Sequence, residues 1–234
     1  ADDVIMVCQK ASEILADHLN RNDVHVVYNS PIIEPFTHRI KDDLNMDESS
    51  PLIIYVGKVS DGRGIEDTLE LLPNLHGFHF ATIGPCDVRM RKKFTAYART
   101  LKVEKQFTIL PPVHFKNVVE YIKGADIGVI VIATTSLSYR LTMPNKLQEM
   151  TFADIPIIAK EGLSEVENYF DEIKNGKIID FGRKESLSYL FTKFYQEREQ
   201  YKLTPEKEKF LQEKYSWDTQ KKKLFTIYSK LLKE

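Results

Sequence analysis

Between Leu52 and Ile179 one unit recurs: a short uninterrupted apolar run, a turn rich in Gly, Pro or Asn, and a stretch with helical spacing. The apolar runs are Leu52–Val56 (LIIYV), Phe78–Ile83, Phe107–Leu110, Ile127–Ile132 (IGVIVI), Ile155–Ala159 and Lys177–Ile179. Helical patterns fill the intervals at Ile65–Leu72, Asp87–Leu101, Phe115–Lys123, Lys146–Phe152 and Ser164–Phe170. A strand with one wet face alternates apolar and polar residues, whereas unbroken apolar runs suit strands covered on both faces. Short strands of this kind alternating with helices predict an α/β fold, a Rossmann-like doubly wound parallel sheet.

The flanks differ. Val4–Val7 reads as a strand, Ala11–Leu19 as a helix and His25–Tyr28 as a second strand, followed by a polar stretch, Asp42–Pro51, that reads as a loop. A strand and helix ahead of a polar linker suggest that the chain starts partway through another domain, so residues 1–30 are expected to be a remnant and linker. The main domain is then 31–214. Strand signals end near Arg183; extra C-terminal helices complete the chain, one of them starting at Thr204-Pro205, and 215–234 forms the last.

Composition narrows the function. With 33 Lys and Arg against 34 Asp and Glu, the chain lacks the basic field of a nucleic-acid binder. Two cysteines, Cys8 and Cys86, are too few for a disulfide framework, and the histidines show no metal-ligand spacing. No apolar run approaches the roughly 20 residues of a membrane span, and no basic n-region opens the chain, so a cytoplasmic setting is expected. The segment from Lys184 to the end carries a net +4. A solvated helix face explains it; contact with an acidic membrane surface is the minority reading.

Two turns carry candidate chemistry. After Leu52–Val56 comes Gly57-Lys58-Val59-Ser60-Asp61-Gly62-Arg63-Gly64 and then a helix. Glycines let backbone approach a ligand, a helix start favours anions, and Lys58 and Arg63 add two charges. Arg63 and Gly64 stand where a P-loop requires Lys and Ser or Thr, and the spacing is not G-x-G-x-x-G, so P-loop chemistry and a dinucleotide site are both disfavoured. The plain alternative is a Gly-rich turn with two solvated cations. The second candidate, Thr142-Met143-Pro144-Asn145-Lys146-Leu147-Gln148-Glu149, follows Ile127–Ile132 and opens another helix at the same sheet edge, with Asn145 as its expected N-cap. Glu149, one turn in, can accept hydrogen bonds from a ribose diol; its plain alternative is a carboxylate that merely favours the helix dipole. Together the two turns favour a nucleotide-diphosphate ligand. Gly84-Pro85 and the run around Val113 sit at further strand ends, where backbone can meet a ligand or a base edge. Asp180-Phe181-Gly182 imitates a kinase motif by chance, because no H-R-D loop precedes it.

These stretches, in this order, resemble the C-terminal, donor-binding half of GT-B glycosyltransferases of the large retaining family four. YVGKVSDGRGIEDTLELL resembles that family's strand–G-R-x(n)-K-G–helix motif, and ATIGP its next strand and Gly turn. VVEYIKGADIGVIV resembles the approach to its donor loop, MPNKLQEMTFADIPIIA the P-N-K-x-x-E variant of that loop, and YSWDTQKKKLFTIYSKLL its closing helix. The resemblance covers about Val26 to Leu232. It implies a nucleotide-sugar donor, UDP- or GDP-linked, bound as substrate with no separate cofactor and no metal. Lys58 and Arg63 would hold the donor diphosphate as the catalytic cations, in positions where the family usually has Arg and Lys. Glu149 matches the second Glu of the E-x7-E motif and would bind the ribose, while backbone at Asn145, Lys146 and Leu147 would meet phosphates; Gly57, Gly84 and Val113 complete the expected contacts. The first motif Glu falls at Leu141, which leaves the sugar open. The resemblance further implies that the acceptor, a lipid-linked or polysaccharide glycan, binds a domain that precedes these residues in the family, that the closing helix crosses back to it, and that the full enzyme can sit at a membrane surface. This chain alone is then expected to bind donor without transferring it.

Two rivals remain. A nucleotide-sugar epimerase would need carboxylates at the sugar, with Glu161 and Glu165 as candidates. A non-catalytic scaffold subunit with the same fold would need none of this chemistry.

Overall fold

The computed structural model describes residues 3–232. In chain order the elements are β1 (Val4–Met6), α1 (Gln9–Leu19), β2 (Val24–Val26), α2 (Ile40–Asp43), β3 (Leu52–Val56), α3 (Ile65–Leu69), β4 (His79–Ile83), α4 (Val88–Thr100), β5 (Phe107–Leu110), α5 (Val118–Ile122), β6 (Ile127–Ile130), α6 (Leu137–Arg140), α7 (Asn145–Phe152), β7 (Ile157–Lys160), α8 (Ser164–Ile173), β8 (Gly176–Ile179), α9 (Lys184–Gln196), α10 (Pro205–Tyr215) and α11 (Trp217–Leu231). The expected doubly wound α/β architecture is present. Six strands form one sheet in the order β5-β4-β3-β6-β7-β8, and every pairing is parallel.

The unbroken apolar runs are explained by two cores, one on each sheet face. All of β3 is buried. Leu52, Ile54 and Val56 join the core that holds Leu147 and Met150 of α7 and Val166 and Tyr169 of α8. Ile53 and Tyr55 join the opposite core, with Phe94 of α4 and Phe191 of α9. Each fully buried aliphatic side chain contributes about 1.5–3 kcal/mol, so the two-sided burial of β3 fixes its place at the centre of the sheet.

Helices return to the sheet through a shared device. The residue that turns the chain back toward β4, β5, β6, β7 and β8 has positive φ in each case: Gly77, Lys102, Gly124, Asp154 and Lys174. At Lys102, Asp154 and Lys174 it follows directly on the helix end, the left-handed exit that stops a helix within one residue, whereas Gly77 and Gly124 turn the connecting chain.

The flank β1–α1–β2 is a separate two-stranded parallel unit. Hydrogen bonds from Cys8 and Lys10 and, just past β2, from Tyr28 and Asn29 tie it to the main domain. The Cys8 thiol donates to the Leu141 carbonyl (3.2 Å) and the Lys10 N–H to Glu165 Oε1 (2.7 Å). The Tyr28 N–H donates to Gln220 Oε1 (3.0 Å) on α11, and Asn29 Nδ2 to Asn145 Oδ1 (2.9 Å). Thr204 caps α10 as expected. Two short helices depart from the sequence reading. α2 reaches into the expected Asp42–Pro51 loop, and α6 forms in a polar stretch whose Ser136 caps it through the Tyr139 N–H.

Candidate functional site

The strand order reverses direction between β3 and β6. In an open parallel sheet the loops leaving such neighbours diverge, and a crevice opens beyond their carboxyl ends. A cleft of about 520 Å³ occupies this place. Gly57, Lys58, Arg63, Gly84, Val113, Asn145, Lys146 and Glu149 all line it.

The β3–α3 turn is set by backbone contacts that exclude side chains. Gly57 has φ +118° and donates its N–H to the Ile83 carbonyl at 2.8 Å. Gly84, with φ +144°, faces it so closely that a Cβ there would lie 2.2 Å from the Gly57 carbonyl oxygen. The turns after β3 and β4 are therefore interlocked, and only glycine fits the contact. Farther along, the Gly62 carbonyl accepts the Ala133 N–H at 3.1 Å, which pins the loop to the end of β6. Val59 is buried and anchors the turn from below.

α3 spans five residues and carries Glu66 and Asp67 in its first turn, so its own dipole is a weak attraction for an anion. Full charges supply the positive field instead. Lys58 is exposed. Arg63 is half-buried, its guanidinium 5.6 Å from the centre of the Tyr139 ring. Lys93 lies outside the cleft and engages Asp61 and Glu66, leaving those carboxylates occupied.

α7 brings the second set. The expected N-cap is displaced: Pro144 is the capping residue and Asn145 is the first helical one, its side chain accepting from Asn29 instead. Proline has no side-chain acceptor, so the Asn145 and Lys146 N–H groups at the start of α7 are left for a ligand. Leu147 departs from the expectation as well. Its side chain is fully buried in the core and its N–H donates to the Pro144 carbonyl at 2.9 Å, so it does not line the cleft. The cause is helical geometry: the turn that aims Lys146 and Glu149 at the cleft aims Leu147 at the sheet.

Lys146 is buried beneath the Gly57 turn, with Nζ 3.5 Å from the centre of the Tyr55 ring. Burial, reinforced by the Arg63 charge, pulls its amine well below the usual range, and Glu149 opposes both. Burial pushes the Glu149 carboxyl up, against the pull of Lys146. The other end of the cleft is apolar, formed by Ile83, Pro112, Val113, Phe115 and Val118. Phe115 is 58% exposed, a ring face open to a planar group.

Sequence reasoning missed Tyr55 and Tyr139. Tyr55 looks like one more apolar strand residue, yet its hydroxyl donates to the Lys58 carbonyl at 2.9 Å and its ring underlies Lys146. Tyr139 lies on α6, in a stretch where the apolar and helical patterns mark no element. Leu141, at the position of the first motif Glu, has its carbonyl taken by Cys8. Glu161 and Glu165 do not line the cleft, and Glu165 is buried on the Lys10 N–H. Among the described residues no three His, Cys, Asp or Glu side chains gather where they could hold a metal ion, and no helix is long and apolar enough to cross a membrane.

The family model described as glycosyl transferases group 1 matches residues 36–216. Among solved structures, a glycosyltransferase from Rickettsia africae superposes with a TM-score of 0.76 at 14% identity, over 99% of this chain and 64% of that one. Sucrose-phosphate synthase from Thermosynechococcus elongatus superposes at 0.74 and 14% identity, over 99% of this chain and 59% of its own. Anabaena HepE, solved with UDP and glucose, superposes at 0.73 and 12% identity, over 98% of this chain and 64% of its own. This chain thus spans about three fifths of the length of these proteins. No curated protein matches.

Proposed function

This chain belongs to the glycosyl transferases group 1 family, and from that premise we propose that it is the donor-binding part of a two-domain retaining hexosyltransferase of family four. The observation that carries the reading is the convergence of Lys58, Arg63, the uncapped start of α7 and Glu149 on one cleft at the point where strand order reverses. A nucleoside-diphosphate sugar, UDP- or GDP-linked, matches that arrangement part by part. The diphosphate lies between Lys58, Arg63 and the first N–H groups of α7. The ribose diol donates to Glu149, and the base rests at the apolar end, near Gly84, Val113 and Phe115. A neighbour solved with UDP and glucose is consistent with this class of ligand.

The proposed chemistry is electrostatic and positional. As the bond between the anomeric carbon and the diphosphate breaks, negative charge grows on the leaving group. Cations and N–H dipoles already aimed at it stabilise that charge without a metal ion. The attacking hydroxyl belongs to a glycan or lipid-linked acceptor held by a second domain outside this chain. Leu141 removes the carboxylate that would contact the sugar, so sugar choice rests on other contacts.

Calorimetry with UDP, GDP and ADP, with and without magnesium, tests the reading. One nucleotide is expected to bind without magnesium, and Glu149→Ala to weaken it. Binding of none would favour the scaffold alternative. Sugar transfer by this chain alone near ~1 s⁻¹, a low ordinary turnover, would overturn its assignment as a donor-binding part.

A further inference from the structure

Lys146 is 7% exposed, and among the described residues its Nζ has no hydrogen-bond partner. An ammonium ion buried without hydrogen bonds is costly by several kcal/mol. A ring 3.5 Å away offsets about 2 kcal/mol of that. Yet the amine is not walled off in the core. It lines the cleft beside Lys58 and Arg63, directly under Gly57: a Cβ on Gly57 would lie 3.8 Å from both Lys146 Cε and Nζ. An unpaired donor lining an anion site is free to donate to a bound ligand.

Resting on the donor-site reading above, we infer that Lys146 is a third cation of the diphosphate site, taking up one proton from solution as the diphosphate binds. The groups that face it decide the charge state. Tyr55 from β3 offers a ring, Arg63 from the β3–α3 turn repels a second positive charge, and Lys58 lines the same cleft. Tyr139 from α6 stacks on Arg63, and Glu149 on the same helix attracts. In the empty cleft burial and Arg63 prevail, and the amine holds its proton less firmly than an ordinary lysine. Two phosphate charges reverse the balance, and the amine becomes a charged donor. The proton comes from the buffer, and no bond in the ligand changes.

UDP binding at pH 8, where the diphosphate is already ionised, is measured by calorimetry in buffers of differing ionisation enthalpy. Close to one proton should be taken up per UDP, and the Kd should rise about tenfold from pH 8 to pH 9. Lys146→Arg, which cannot lose its charge, should bind UDP with no proton uptake and little pH dependence. Lys146→Met, of similar volume, should also take up no proton and bind at least tenfold more weakly. Thermal melting of both variants confirms that they are folded. As a readout independent of ligand, the Lys146 Cε resonance of the free chain should titrate well below the ordinary lysine range and move to the charged position when UDP is added. UDP binding without proton uptake, or uptake undiminished in Lys146→Arg, overturns this inference and leaves the donor site standing. Failure of UDP, GDP and ADP to bind at all overturns the donor-site reading and the inference with it.

Discussion

A Cβ on Gly84 would stand 2.2 Å from the carbonyl oxygen of Gly57, so the turns after two neighbouring strands are held in contact by the absence of a side chain. Gly84→Ala forces them apart and places alanine at φ +144°. Backbone strain of about 1–3 kcal/mol is expected. The measurements are a lowered melting temperature together with weaker UDP binding, since Gly57 and Lys58 move with the turn. A variant as stable and as tight as the wild type would show that the contact relaxes at no cost.

Lys58 and Arg63 should differ in how they fail. Lys58 is exposed, so Lys58→Ala should weaken UDP binding roughly three- to tenfold and flatten its salt dependence. Arg63 is half-buried beside Tyr139 and presents a rigid fork. Arg63→Lys keeps the charge but loses the fork, and should still cost about tenfold. Equal affinities for Arg63→Lys and wild type would assign Arg63 a role as charge alone.

Burial raises the Glu149 carboxyl, so the folded chain holds that proton more tightly than the unfolded one. The resulting penalty is absent below the ordinary carboxylate pKa of about 4.3 and grows as pH rises through the folded value. Glu149→Gln should therefore be more stable than wild type at neutral pH, with the gap closing at pH 4. The same variant should bind UDP more weakly, because an amide accepts the ribose hydroxyls less strongly than a carboxylate. Melting curves and titrations on one preparation check both directions.

The sign for Lys146 is opposite. Its amine is depressed in the fold, so the unfolded chain binds the extra proton. Stability should rise with pH between the depressed value and the ordinary value of about 10.4. Lys146→Met should be more stable than wild type at neutral pH, and the two should converge toward pH 10. Parallel pH profiles would show that the amine keeps its ordinary titration.

Both thiols are pushed up by burial, Cys8 and Cys86 alike, and Cys8 is also engaged by Leu141. Neither should alkylate quickly at pH 7. Half-buried Cys86 should react before buried Cys8, as read by mass spectrometry of the native chain.

The sheet was legible because its strands are buried on both faces. β3 and β5 fall at the residues the apolar runs marked, and the other strands shift by one or two. The two site turns were legible because glycine, proline and cations interrupt those runs at the same sheet edge. What escaped depended on direction rather than pattern. Asn145 has the composition of a cap, but the extended Pro144 starts the helix one residue earlier. Leu147 sits between two cleft residues and points the other way. Tyr55 serves both a core and a site, and a one-dimensional pattern has no sign for that.

All six strands of the sheet run the same way, so the five left-handed turns at Gly77, Lys102, Gly124, Asp154 and Lys174 lie on the edge away from the cleft. The two rims of the molecule therefore face different histories. Along one, an added atom at Gly84 collides with backbone; along the other, a Cβ at Gly77 meets nothing within 4 Å. A change on the far rim can therefore cost stability, through the positive φ at Gly77 or the Leu203 N–H that Asp154 holds, while the ligand's own contacts stay where they are.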